Sequence, residues 1–133
     1  MEVRVLVLAS LKRDGKISGE ILHREGIPVR VCSNVLELAV EAKSGAGAVL
    51  LAREAVDKNG IELLKRLLKE EPAWSHLPFI VLTESGELSE ANRESLALME
   101  SIKNVTFLER PVRILTLIGV LKAALADRAR QYE

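Results

Sequence analysis

Ala48-Val49-Leu50-Leu51 decides the fold. The run is apolar throughout, the pattern of a strand covered on both faces, as in parallel sheets flanked by helices. Gly45 and Gly47 precede it and end a helix that begins at Asn34-Val-Leu-Glu37, a capping-box spacing. That helix carries Val35, Leu36, Ala39 and Val40 as its apolar face. Further back, Pro28 to Cys32 reads as a strand. A helix capped by Asp14 or Ser18 runs to about Glu25, with Ile17, Ile21 and Leu22 on one face. Gly15 and Gly19 weaken its start, each costing about 1 kcal/mol against Ala, and Gly26 stops it. Val3 to Leu8 is the first strand, broken only by Arg4.

Downstream of Leu51 the alternation continues. Asn59-Gly-Ile-Glu62 repeats the capping-box spacing and opens a helix with Ile61, Leu64, Leu67 and Leu68, which Pro72 ends. Phe79 to Thr83 is the fourth strand. Ser89 opens a helix bearing Ala91, Ser95, Leu98 and Ile102. Val105 to Leu108 is the fifth strand, and the final helix follows Pro111 with Ile114, Leu117, Ile118, Leu121 and Leu125 inward. Five βα units imply an α/β class: a parallel sheet, right-handed crossovers and helices on both faces. Five units suit a flavodoxin-like three-layer sandwich of strand order 2-1-3-4-5.

Composition narrows the function classes. The 133 residues fit one domain, with 48% hydrophobic and 29% charged residues. Lys plus Arg and Asp plus Glu both number 19, so nothing calls for nucleic acid or an anionic membrane. Aromatics at 3% offer no stacking platform for bases. No apolar stretch reaches the roughly 18 residues of a membrane span. The strand pattern that starts at the N-terminus leaves no room for a signal peptide. Cys32, the one cysteine, reads as a buried small hydrophobe and fits a reducing cytoplasm. His23 and His76 lie far apart, so no metal and no cofactor is expected. Gly45-Ala-Gly47 lacks the spacing of a phosphate-binding loop, and no GxSxG occurs.

Sheets of this kind place their sites at the carboxyl ends of the strands, near the switch point between strands one and three. The residues there are Ala9 and Ser10; Ala52, Arg53 and Glu54; Thr83, Glu84 and Ser85; and Glu109, Arg110 and Pro111. Phe79-Ile-Val-Leu-Thr83, about twenty-five residues, and then Phe107-Leu-Glu-Arg110-Pro111 resemble the second half of response-regulator receiver (CheY-like) domains. The likeness spans the whole chain in length and element order. It implies a hydroxyl after strand four, here Thr83, and a Lys-Pro after strand five, here Arg110-Pro111 with a cis peptide bond.

The family's phosphoryl chemistry needs more: an acidic pair after strand one to hold Mg²⁺ and an acceptor Asp at the end of strand three. The pair falls on Ala9-Ser10, or Leu8-Ala9 one residue earlier, and the acceptor on Ala52. Alanine offers neither nucleophile nor metal ligand. Glu54 and Asp14 are the nearest carboxylates, and both read more simply as loop charges. Thr83 and Arg110 could contact a small anion, or Arg110 could pair with Glu54 or Glu109.

The resemblance therefore implies a non-enzymatic, degenerate receiver, a pseudo-receiver of bacterial two-component signalling, working in the cytoplasm on a protein partner or on itself. The final helix is apolar on more than one face around Leu115 to Leu125, beyond what covering a sheet requires. Leu115, Ile118 and Leu121 are its candidate docking residues, either as a helix-five homodimer or within a face of helix four, strand five and helix five. The receiver domain is expected over residues 1–126. Residues 127–133, Asp127-Arg-Ala-Arg-Gln-Tyr-Glu133, form the end of the helix or lead into a coiled coil, as at the N-terminal receivers of sensor histidine kinases. Trp74 is either a partner contact or the cover of a helix–strand corner. Two rival readings are a small-anion sensor at Thr83 and Arg110, and an atypical phosphoacceptor using a displaced carboxylate.

Overall fold

A computed structural model of the chain describes residues 4–9, 12–70, 77–83 and 104–131. The expected fourth helix with Ser89, Ala91, Ser95, Leu98 and Ile102, and the residues Ser10, Trp74, His76, Glu84 and Ser85, lie outside the described residues, as do the side chains of Asp14, Ile17, Leu67 and Leu68. Five strands, β1 (Val5–Leu8), β2 (Val29–Cys32), β3 (Ala48–Ala52), β4 (Phe79–Thr83) and β5 (Val105–Glu109), pair in parallel in the order β2-β1-β3-β4-β5. This is the order expected of a CheY-like, flavodoxin-type sandwich. The described helices are α1 (Lys12–Arg24), α2 (Val35–Ser44), α3 (Lys58–Glu70) and the C-terminal helix α4 (Ile114–Gln131), which is the fifth helix of the sequence pattern.

Every residue of β1 and β3 is buried, as the all-apolar runs predict. Successive side chains point to opposite faces of a strand, so each strand feeds two cores. One core joins Leu6, Leu8, Val49, Leu51 and Val81 of the sheet to Leu38 and Ala42 of α2 and to Ile61 and Leu64 of α3. The other joins Val5, Val7, Ala48, Leu50 and Ile80 to Leu22 of α1 and to Ile118, Leu121 and Ala124 of α4.

The helix boundaries hold three corrections. First, α1 begins at Lys12, ahead of both expected caps, and runs through Gly15 and Gly19. A Cβ on Gly15 would meet Val31 Cγ1 at 3.0 Å, and one on Gly19 would meet Val31 Cγ2 at 3.1 Å. These glycines let α1 lie close on β2; they do not mark a late start. Its end is as expected: Gly26 at φ 75° takes the left-handed conformation that favours glycine. The N–H groups of Gly26 and Ile27 return to the carbonyls of His23 and Leu22, a Schellman closure.

Second, α3 is capped by Asp57 and not by Asn59. Asp57 Oδ1 accepts from Gly60 N–H at 2.8 Å, and the Asp57 carbonyl accepts from Ile61 N–H. At α2 the expected cap stands, with Asn34 Oδ1 accepting from Glu37 N–H. The Glu37 carboxylate accepts from Ser33 N–H, so the reciprocal bond reaches one residue further back than in a standard capping box.

Third, α2 buries Leu38, Ala39 and Ala42, while Leu36 and Val40 face outward. The apolar face expected from Val35, Leu36, Ala39 and Val40 is therefore rotated. Small alanines bring the helix close to the sheet. Arg4 secures the other end of α2, donating from Nε to the Gly45 carbonyl and from its terminal nitrogens to the Glu41 carboxylate and carbonyl.

The C-terminal helix corrects the candidate docking set. Ile118 is 5% exposed and Leu121 0% exposed, both in the core against the sheet, so neither is a surface residue. Leu115, at 82% exposed, stands out in solvent together with Ile114. The packing also runs past residue 126. Arg128 is buried and donates from Nε to the Ala46 carbonyl at 3.4 Å, so the body of the domain extends at least to Arg128.

Candidate functional site

The parallel register brings the carboxyl ends of β1, β3, β4 and β5 to one rim. Leu8 pairs with Leu51, Ala52 with Leu82, and Thr83 with Glu109. Ala9 follows β1 and is partly buried, Ala52 closes β3 and is buried, and Thr83 closes β4 and is buried. Arg110 and the exposed Pro111 follow β5, joined by a cis peptide bond, as the receiver likeness implies.

Arg110 is the hub of this rim. Its backbone N–H donates to the Thr83 carbonyl at 2.7 Å, and its Nε reaches the same oxygen at 3.4 Å. Its two terminal nitrogens donate to the two Glu54 oxygens at 2.8 Å and 2.6 Å. That is the two-pronged geometry in which a guanidinium matches a carboxylate. The expected pairing of Arg110 with Glu54 is present. Glu54 sits in a single 3₁₀ turn, Arg53–Ala55, directly after β3.

Beside this pair, on the β1 and α2 side, lies an open groove of about 590 Å³. Leu8, Val35 and Leu36 supply apolar walls, and Glu54 and Asp57 supply its carboxylates. Both carboxylates are engaged, one by Arg110 and one as the cap of α3. Among the described residues no group of three or more His, Cys, Asp or Glu side chains could hold a metal ion. Among the described residues, the donor set on this rim does not fit Mg²⁺, which needs free oxygen ligands.

The groove and the turn after β3 had no signal in the sequence beyond the position of Glu54. They arise where two helix starts meet the sheet edge. Cys32, at the end of β2, is buried in the core. Burial, reinforced by the charges of Glu37 and Glu41, pushes its thiol up to about 11. It is no nucleophile at neutral pH. The Glu37 carboxyl is held below its ordinary range, chiefly by the N–H of Ser33.

No protein-family model matches the sequence, and neither does any curated protein. Solved structures do match. A CheY-like response regulator receiver domain protein from Methanospirillum hungatei JF-1 superposes with a TM-score of 0.74 at 20% identity, over 98% of this chain and 99% of that one. A response regulator receiver domain protein from Clostridium thermocellum gives a TM-score of 0.74 at 18% identity over the full length of both. NtrX from Brucella abortus gives 0.73 at 21% identity over 99% of this chain, which spans only 28% of that longer protein. The chain thus has the CheY-like receiver fold. Among the described residues, no helix is long and apolar enough to cross a membrane.

Proposed function

We propose that this chain is a pseudo-receiver: a receiver-fold module of a cytoplasmic bacterial two-component system that does not accept a phosphoryl group and works by contact with a protein partner or a second copy of itself. The observation that carries the reading is the pairing at the rim. Ala52 ends β3, Ala9 follows β1, and the nearest carboxylate beyond Ala52, Glu54, is bound to Arg110 through both oxygens. An alanine has no nucleophilic atom. A carboxylate already clamped by a guanidinium is a poor phosphoryl acceptor, because the ion pair occupies its oxygens and holds its charge.

Incubation with acetyl phosphate and Mg²⁺ followed by intact-mass measurement tests this. The expected result is no adduct. A gain of about 80 Da, one phosphoryl group, that disappears in Glu54→Gln would replace this reading with that of an atypical phosphoacceptor.

The docking surface we assign is the solvent-facing start of the C-terminal helix, where Ile114 and Leu115 are 53% and 82% exposed. Two adjacent aliphatic side chains in water favour burial against a partner by roughly 25 cal/mol per Å² covered. Light scattering on Ile114→Glu/Leu115→Glu measures the effect. The expected outcome is loss of self-association or of partner capture, with the fold retained by circular dichroism. An unchanged assembly would move the surface elsewhere. Continuation of the helix past Gln131 into a coiled coil of a sensor kinase belongs to the same proposal.

A further inference from the structure

The fold leaves two surface features unexplained. The first is the start of α4, where Arg113, Ile114 and Leu115 are all exposed. The Arg113 carbonyl accepts from Leu117 N–H, so Arg113 stands at the cap position of the helix. The positive end of the helix dipole disfavours a cation there, and Ser, Thr, Asp and Asn are preferred. The first turn of α4 holds no acidic residue to offset it. Among the described residues, no ion pair engages the Arg113 side chain. A residue that breaks a local rule without a gain inside the chain points to a role outside it. The second feature is the open groove of about 590 Å³ beside β1 and α2. Val35 and Leu36 wall it, and Leu36 is 64% exposed. Val40, four residues on and also exposed, carries the apolar strip one turn further along α2. Glu54 and Asp57 line the groove, and no Lys, Arg or His does. The Glu54 charge is met by Arg110. Asp57 accepts from the backbone N–H of Gly60, a neutral donor that leaves its charge uncancelled.

These surfaces are complementary. One offers two aliphatic side chains and a cation; the other offers an apolar cleft and an anion. They cannot meet within one chain. Ile118 and Leu121 hold α4 in the core with Val5, Leu50 and Ile80, on the face of the sheet opposite to α2 and α3. We propose that the groove receives the start of α4 from a second copy of this chain, with Ile114 and Leu115 against Leu36 and Val40, and Arg113 facing Asp57. The contact is heterologous, groove to helix start. Each copy keeps one free groove or one free helix start for the next, and the rotation between copies decides between a ring and an open run. This contact rests on the reading of Ile114 and Leu115 as a docking surface and names what they dock on.

The test is complementation between two broken copies, followed by sedimentation equilibrium. Leu36→Lys spoils the groove, and Ile114→Glu/Leu115→Glu spoils the helix start. All three positions are exposed, and circular dichroism checks that each variant folds. The expected result is association of the unaltered chain, a monomer for each variant alone, and a 1:1 complex in their equimolar mixture. The mixture restores one intact contact and stops there, because the remaining groove and helix start are both spoiled. Arg113→Asp gives α4 a favourable cap, so monomer stability should rise, yet it sets like charges face to face and should weaken association at least about tenfold at low salt. A mixture that stays monomeric overturns the groove as the seat and leaves the helix start as a symmetric contact. Association of Leu36→Lys or of Arg113→Asp equal to that of the unaltered chain overturns the proposal as well. An unaltered chain that stays monomeric at roughly millimolar concentration overturns it too, while docking on a different protein survives. Assembly that persists in Ile114→Glu/Leu115→Glu removes the docking surface itself, and this contact with it.

Discussion

Replacing Leu121 with Ala tests how the C-terminal helix is rotated against the sheet, and Leu115→Ala is its natural control. Leu121 has 0% exposure and sits in the core with Val5, Leu50 and Ile80. Truncation removes about three methylene equivalents, worth ~0.8 kcal/mol each, or about 2.4 kcal/mol of transfer free energy. The cavity left in a close-packed layer raises the total to about 3–4 kcal/mol. Against a domain stability of roughly 5–15 kcal/mol this is a large fraction, and it should lower Tm by roughly 10 °C or more. Leu115, 82% exposed and six residues earlier, should change monomer stability by no more than about 0.5 kcal/mol. Urea denaturation followed by far-UV circular dichroism, at two protein concentrations, separates the effects. Leu121→Ala should shift the midpoint equally at both concentrations. Leu115→Ala should act only where the chain associates, since association adds to apparent stability by mass action. A Leu115→Ala loss above about 2 kcal/mol at the lower concentration would refute the assigned rotation of the helix. So would a Leu121→Ala loss below about 1 kcal/mol.

Other parts of the molecule give predictions of the same kind. The Arg110–Glu54 pair is partly exposed, with side chains 24% and 37% accessible, so a double-mutant cycle should return about 0.5–1 kcal/mol at low salt and less at 1 M NaCl. Cys32 should resist a thiol reagent at pH 8 in the folded chain and react at once in denaturant. Because its folded pKa of about 11 lies above the ordinary thiol value of 9.0, its contribution to stability is complete below pH 9 and is lost as pH rises toward 11. Glu37 behaves in the opposite sense. Its depressed pKa gives a contribution that is present above the ordinary carboxylate range and is lost as pH falls through the folded pKa, so Glu37→Gln should flatten the acid limb of the stability profile. Gly15→Ala should yield less than the ~1 kcal/mol that helix propensity offers, because the new methyl meets Val31 Cγ1 at 3.0 Å; adding Val31→Ala should restore the helix-propensity gain, measured against Val31→Ala alone.

The sheet was legible in the sequence because buried parallel strands leave a short, unbroken apolar signature, and Ala48–Leu51 and Phe79–Thr83 both have it. The helices were less legible where apolar residues occur on both faces. In α2 the aliphatics Leu36 and Val40 point outward, while Leu38, Ala39 and Ala42 are buried. A count weighted by hydrophobicity cannot choose between stripes when large aliphatics lie on both. The same ambiguity mixed Leu115 with Ile118 and Leu121 in α4, and spacing alone cannot rank an exposed leucine against a buried one. Charged residues carried the opposite problem. Arg128 sits in a stretch that reads as a solvated helix end, yet it is buried against the carbonyl of Ala46, a contact across 82 residues that no local pattern encodes. At the rim, Arg110 and Glu54 were visible as neighbours of the strand ends, and their pairing follows from strand order, which carries the end of β3 to within one strand of β5.

Strand order also explains why the rim takes this form in a chain whose β3 ends in alanine. In the order β2-β1-β3-β4-β5, the turn after β3 and the residue after β5 face each other across the end of β4. A cation at Arg110 in that position needs an anion, since a partly buried guanidinium without one loses solvation that nothing replaces. Ala52 cannot provide it, and no external ligand is required if the next turn can. Glu54, two residues beyond Ala52, provides it through a 2.6 Å contact. The rim is thereby neutralised from within. The ion pair has the character of a brace between β3 and β5, and among the described residues the open groove and the apolar start of the C-terminal helix lie outside it.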